Sequence, residues 1–170
     1  FLQKDYPGWL YPVTQGATSM WERWNSLQPG GSLNSHGINS FNHYAYGSIC
    51  EWIYCDLCGL NPIEEFPGLK KVLLRPNPDR RLINAKASYE SSMGHFECGW
   101  IVEYYKVKYA FSVPFNVEAK LILLNLKKNE ISSSNFETRE EGNDVIAELT
   151  HGDYVIIYKP SNYFIKSKFV

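Results

Sequence analysis

The sequence predicts an α+β chain organised by segments, with helices first and an antiparallel β-sandwich after them. Three observations predict it. Apolar residues recur at three- and four-residue steps up to about Pro62, the spacing of one helix face. Past Pro67 the pattern changes to short β-branched and aromatic runs separated by turn residues. The composition, 44% hydrophobic and 21% charged, is that of a chain that buries a core. A length of 170 residues suits one domain, or a small domain with a piece of another.

The helical segment, residues 1–63, carries eleven aromatic residues up to Pro62, including four of the five tryptophans. A short helix is expected from Thr18 or Ser19 to about Leu27. Residues 28–39 are rich in Gly, Ser and Asn without a period of their own, and read as a loop. Ser40 is placed to cap a longer helix whose positions Phe41, Ala45, Ile49, Trp52 and Ile53 share one face. Gly59 and then Asn61-Pro62 stop it, because glycine accepts the left-handed C-terminal conformation and proline cannot continue the ladder. Two helices and a loop close no core, so their apolar faces require further helices as partners.

The β segment, residues 64–170, shows strand patterns at 71–74, 83–90, 99–108, 108–114, 118–124, 145–149 and 154–159. Trp100 to Tyr105 and Tyr154 to Tyr158 are dense in β-branched and aromatic side chains, as sandwich strands are. Residues 132–143 are polar and read as a surface loop.

Charge and cysteine usage bound the function. Seventeen basic residues against eighteen acidic ones, with no Lys/Arg cluster longer than a pair, lack the footprint of a nucleic-acid binder and point to an uncharged partner. The apolar runs are too short to cross a bilayer, and the N-terminus lacks the pattern of a signal peptide. Without an initiating Met, the chain reads as an excised or incomplete product. Cys50, Cys55 and Cys58 fall within one predicted helix and are expected to pack as small apolar side chains. The C-x-x-C pair Cys55/Cys58 lacks a second ligand pair and a βαβ setting, so neither a metal nor another cofactor is expected. Free thiols and the lack of an N-x-S/T site lean towards a reducing, cytoplasmic compartment.

Two constellations suit work on sugars. Gly16 to Asn25 sets Glu22 among Trp21, Arg23 and Trp24; aromatic faces stack on the C–H faces of sugars, and carboxylates accept hydroxyl protons. Glu22 would be a base or nucleophile if a second carboxyl group stood across the scissile bond. Ser19-x-x-Glu22 is equally a capping box, with Glu22 tied back to a helix end. Trp21 and Trp24, three apart, suit helix packing as well as a sugar platform. Ser40 to Gly47 crowds polar groups near a helix start, where His43 can donate to a sugar hydroxyl or simply bond to its surroundings. Glu51 reads as a polar contact at a helix interface. His95 and Glu97 would bind a metal only if more ligands converged.

Taken together, YPGWLYPVTQGATSMWERWNS, SFNHYAYGSICEWIY, PGLKKVLLRPNPD and AKASYESSMGHFECGW resemble, in this order, the C-terminal region of α-L-rhamnosidases of glycoside hydrolase family 78. They cover most of residues 6–100. The resemblance implies that residues 1–63 are the last part of an (α/α)6 catalytic barrel and that residues 64–170 are the β-sandwich that follows it. It implies an inverting hydrolase acting on rhamnose-containing glycosides or polysaccharides, with Glu22 as the water-activating base and His43 and Trp21 at the sugar. The family's acid-bearing string, from an earlier barrel helix, is absent. The resemblance therefore implies a chain that is inactive alone and that is partnered by the missing N-terminal part of the barrel. The alternatives are a non-catalytic carbohydrate-binding module and a structural β-domain with a helical extension.

Overall fold

A computed structural model of the chain describes residues 5–79 and 81–159. They fall into two units, Phe1–Cys50 and Glu51–Val170.

In the first unit, α1 (Leu10–Thr14) is a single short helix, and Gly16 follows it at φ +77°. The helix expected at residues 18–27 is absent, and that segment is a series of bends and turns. Its backbone groups are committed elsewhere: the Glu22 N–H donates to the Ser40 carbonyl at 2.9 Å, and the Met20 carbonyl accepts from the His43 N–H at 2.7 Å. The same bonds correct the start of the longer helix. Ser40 caps nothing, and the helical run begins at Ala45 as a 3₁₀ turn (Ala45–Ser48), continues as α2 (Ile49–Trp52) and ends as a π-helical segment (Ile53–Leu57). The His43 ring takes the capping part, with Nδ1 accepting the Ala45 N–H at 3.2 Å.

The second unit is a sandwich of two five-stranded sheets. Its strands are β1 (Leu60–Pro62), β2 (Lys71–Leu74), β3 (Asn84–Ser91), β4 (Gly94–Glu103), β5 (Lys106–Val113), β6 (Glu118–Leu123), β7 (Ile131–Ser134), β8 (Arg139–Glu141), β9 (Asp144–Leu149) and β10 (Gly152–Tyr158). One sheet has the order β1-β2-β6-β9-β8 and the other β3-β4-β5-β10-β7. All pairings are antiparallel except β2 with β6, which run parallel. The run expected at residues 99–108 is split by a tight turn at Tyr104-Tyr105, and the loop expected at 132–143 holds part of β7 and all of β8.

Period-two burial explains the layers. In β5 the residues Val107, Tyr109, Phe111 and Val113 are buried and their neighbours are more open; β6 repeats this with Ala119, Leu121 and Leu123. Phe96, Cys98 and Trp100 of β4 join Leu74, Val145 and Ile156 between the sheets. The end of the π-helical segment enters the same core through Leu57 and Cys58.

The carbonyls of that helix end, which have no partner within a helix, are satisfied by the sandwich. The Cys55 oxygen accepts from Asn61 Nδ2 at 2.9 Å, that of Leu57 from Trp100 Nε1 at 2.8 Å and that of Cys58 from the Tyr109 hydroxyl at 3.1 Å. The Asp56 and Gly59 oxygens accept backbone N–H bonds from Asn77 and Arg75 at 3.0 and 2.8 Å. Gly59, at φ +88°, makes this turn possible, since a Cβ there would strike the Arg75–Pro76 backbone.

Candidate functional site

The candidate residues sit where two distant segments of the first unit meet. Residues 19–22 and 40–43 lie side by side, joined by the two backbone bonds at Glu22 and His43 and by the Ser19 hydroxyl, which donates to the Phe41 carbonyl at 2.6 Å. Glu22 is half-buried, and its Oε2 accepts the Ser40 N–H at 3.2 Å. Among the described residues no cation is ion-paired with it. Its carboxylate is thus held by one neutral donor, which leaves lone pairs for a further hydrogen bond. The capping-box alternative for Ser19 and Glu22 does not occur, because both side chains bond to the 40–43 segment and no helix starts there.

Trp21 is only 5% exposed. Phe41 and Tyr11 hold its ring edge-on, at centroid distances of 5.1 and 6.3 Å. Glu22, next to it in the chain, is less buried. Trp24 stacks on Tyr46 at 5.0 Å, and Trp9 stands edge-on to both.

His43 is half-buried and stacked on Tyr44 with centroids 4.9 Å apart. Because Nδ1 accepts the Ala45 N–H, a neutral ring carries its proton on Nε2, as a donor directed away from the helix start. Sequence reasoning missed the fastening of the intervening loop. Arg23 Nη1 donates to the His36 carbonyl, and its guanidinium lies against Gly37, at φ +86°, where a Cβ would collide with it. Asn34 binds the Asn25 carbonyl and the His36 N–H, while Asn39 Nδ2 donates to the Asn34 carbonyl at 2.6 Å. The many Asn and Gly residues of the loop were the available signal, since these types make local side-chain bonds and left-handed turns.

The other candidates lie in the second unit. His95 Nδ1 contacts Glu90 at 2.5 Å, and Glu97 is paired with Lys86 at 2.9 Å, its carboxyl held below the usual range chiefly by that hydrogen bond. No group of three or more potential metal ligands occurs among the described residues. Burial pushes the Cys58 thiol up to about 11 and Cys98 to about 12, opposite to what a reactive thiolate requires. Cys55 is also raised, by burial first and then by Glu51 and Asp56. Among the described residues no helix is long and apolar enough to cross a membrane.

Comparison with known proteins matches two family models to successive parts of the chain. Residues 1–57 match the family model described as the bacterial α-L-rhamnosidase 6 hairpin glycosidase domain, and residues 59–137 match the bacterial α-L-rhamnosidase C-terminal domain. An α-L-rhamnosidase of Streptomyces avermitilis is 39% identical over 119 residues, 70% of this chain and 11% of that protein. One from Formosa agariphila is 32% identical over 165 residues, 97% of this chain and 16% of that protein. The crystal structure of the Streptomyces avermitilis α-L-rhamnosidase complexed with L-rhamnose superposes with a TM-score of 0.76 at 33% identity, covering 92% of this chain and 15% of that one. The chain thus spans less than a fifth of the length of these relatives.

Proposed function

Because the chain belongs to the α-L-rhamnosidase family, matching both its hairpin glycosidase domain and its C-terminal domain, we propose that it supplies the water-activating half of an inverting site that releases terminal non-reducing α-L-rhamnose. The observation that carries this reading is the state of Glu22: half-buried, held by the single Ser40 N–H, and paired with no cation among the described residues. A general base needs such an environment, since a salt bridge would lower its basicity and full burial would shut out water.

In the proposed reaction a water molecule donates a hydrogen bond to Glu22 and attacks the anomeric carbon from the face opposite the leaving group. Glu22 takes the proton as the C–O bond forms, and a carboxylic acid across the ring protonates the departing glycosidic oxygen. The two carboxyl groups of an inverting pair stand about 6.5–9.5 Å apart. The acid comes from the remainder of the barrel. His43 directs its Nε2 proton to a sugar hydroxyl, and Trp21, wedged between Tyr11 and Phe41, buttresses the segment that presents Glu22. The exposed Val13, Leu33 and Ile38 are the surface on which the rest of the barrel packs.

Two assays test this. The 170-residue chain alone is expected to show no turnover of p-nitrophenyl α-L-rhamnoside. In a full-length protein carrying this segment, Glu22→Gln is expected to lower kcat by about 100-fold or more, at the scale of a lost general base, with the circular dichroism spectrum unchanged. Near-normal turnover by that variant would refute the assignment.

A further inference from the structure

We propose that the outer face of the β3-β4-β5-β10-β7 sheet is a carbohydrate-binding groove for a neutral sugar chain; the choice of a glycan rests on the rhamnosidase reading. The concavity follows from side-chain size along one cross-strand row. Lys86, Gly99, Ala110 and Val155 stand opposite one another on β3, β4, β5 and β10, so the smallest residues form the floor and larger ones the walls. Gly99 is required there, since a Cβ would come within 2.7 Å of the Ala85 carbonyl oxygen. The resulting groove has a volume of about 480 Å³, within the range of small-molecule sites.

The lining selects the ligand. Its charged groups are two lysines, Lys86 and Lys108, against two carboxylates, Glu97 and Asp153. The balance favours an uncharged partner over an anion or a cation. Lys86 and Glu97 are paired with each other at 2.9 Å, so Lys108, Asp153, Asn84 and Ser112 supply the donors and acceptors at the two ends of an apolar floor, as polyhydroxyl recognition requires.

A second observation points the same way. The hairpin that floors the groove ends in Tyr104 and Tyr105, three residue positions beyond Ile101 and Lys108, or roughly 10 Å along the strands. Both tyrosines adopt left-handed backbone angles, φ 48° and 63°, in a two-residue turn for which Asn-Gly is the favoured pair. Tyr104 is 94% exposed, so little burial offsets its strained backbone. An aromatic ring kept at such a position is suited to a ligand: it provides a flat face for sugar C–H groups beside a groove that bonds the hydroxyls.

The test is affinity electrophoresis of the full chain through gels containing a soluble polysaccharide whose branches end in α-L-rhamnose, and through the same polymer with those residues removed. The wild-type chain is expected to be retarded, and less so by the trimmed polymer. Ala110→Trp, which fills the groove from an exposed position, is expected to weaken retardation at least tenfold without lowering Tm. Tyr104→Asn with Tyr105→Gly is expected to weaken it about threefold or more while raising Tm, because the new pair suits the turn. No retardation of the wild-type chain, equal retardation of Ala110→Trp, or equal retardation by the two polymers would overturn the proposal. Glu22→Gln leaves retardation unchanged, and Ala110→Trp leaves hydrolysis of a small aryl rhamnoside by the full-length protein unchanged, so the two readings fail separately.

Discussion

The two units bury their apolar residues to very different extents. In the second, Phe96, Trp100, Tyr109, Phe111 and Tyr158 are all enclosed between the sheets, and each polar tip at the helix end finds an acceptor. In the first, Tyr11 and Trp21 are the buried aromatics among the described residues, while Ile38 is 77% and Tyr44 88% exposed. The Tyr11 hydroxyl and Asn39 Oδ1 are moreover enclosed without a hydrogen-bond partner among the described residues, an arrangement that costs about 1–3 kcal/mol per group. The difference teaches that a sandwich closes its core within its own chain, whereas a stretch of helices and loops at this density needs further layers. The proposed site lies on paired loops of the first unit, and such a site is only as rigid as the scaffold beneath it.

The largest expected effect is at Trp100, 2% exposed and bonded to the Leu57 carbonyl. Trp100→Ala should destabilise the second unit by about 3–5 kcal/mol in a denaturant titration. Tyr109→Phe keeps the packing and leaves the Cys58 carbonyl unsatisfied, so a loss of about 1–3 kcal/mol is expected in the same titration. Thiol labelling sharpens the contrast without mutation. Cys50 is exposed and should react promptly with a disulfide reagent, whereas Cys58 and Cys98 should react only on unfolding. Prompt reaction at Cys98 would show that the sandwich opens locally. The smallest effect is at the Lys71–Glu118 pair, 2.6 Å apart but solvent-exposed, where Lys71→Ala should cost no more than about 1 kcal/mol, and less at high salt.

What was legible in the sequence follows the same division. The β2, β5, β6 and β10 strands were readable because one face is more buried than the other, which writes a two-residue period into the residues. β7 and β8 were hidden because they are polar, with no buried residue in either, and so carry no period. In the first unit, helical spacing around Trp21 and Trp24 suggested a helix where the backbone instead pairs with residues 40–43. That pairing spans 18 residues between Glu22 and Ser40, and a local pattern does not encode it. Glu22 and His43 were singled out as candidates by type and motif, whereas the donor that holds Glu22 and the arginine that fastens the loop needed the fold.

The most direct measurement on the proposed base is chemical rescue. In a full-length α-L-rhamnosidase carrying this segment, Glu22→Ala is expected to lose hydrolysis and to regain turnover of an activated aryl rhamnoside in azide, releasing the β-L-rhamnosyl azide, identified by NMR. Azide needs no base and attacks from the face that Glu22 would serve. Undiminished hydrolysis by Glu22→Ala in the absence of azide would contradict the account.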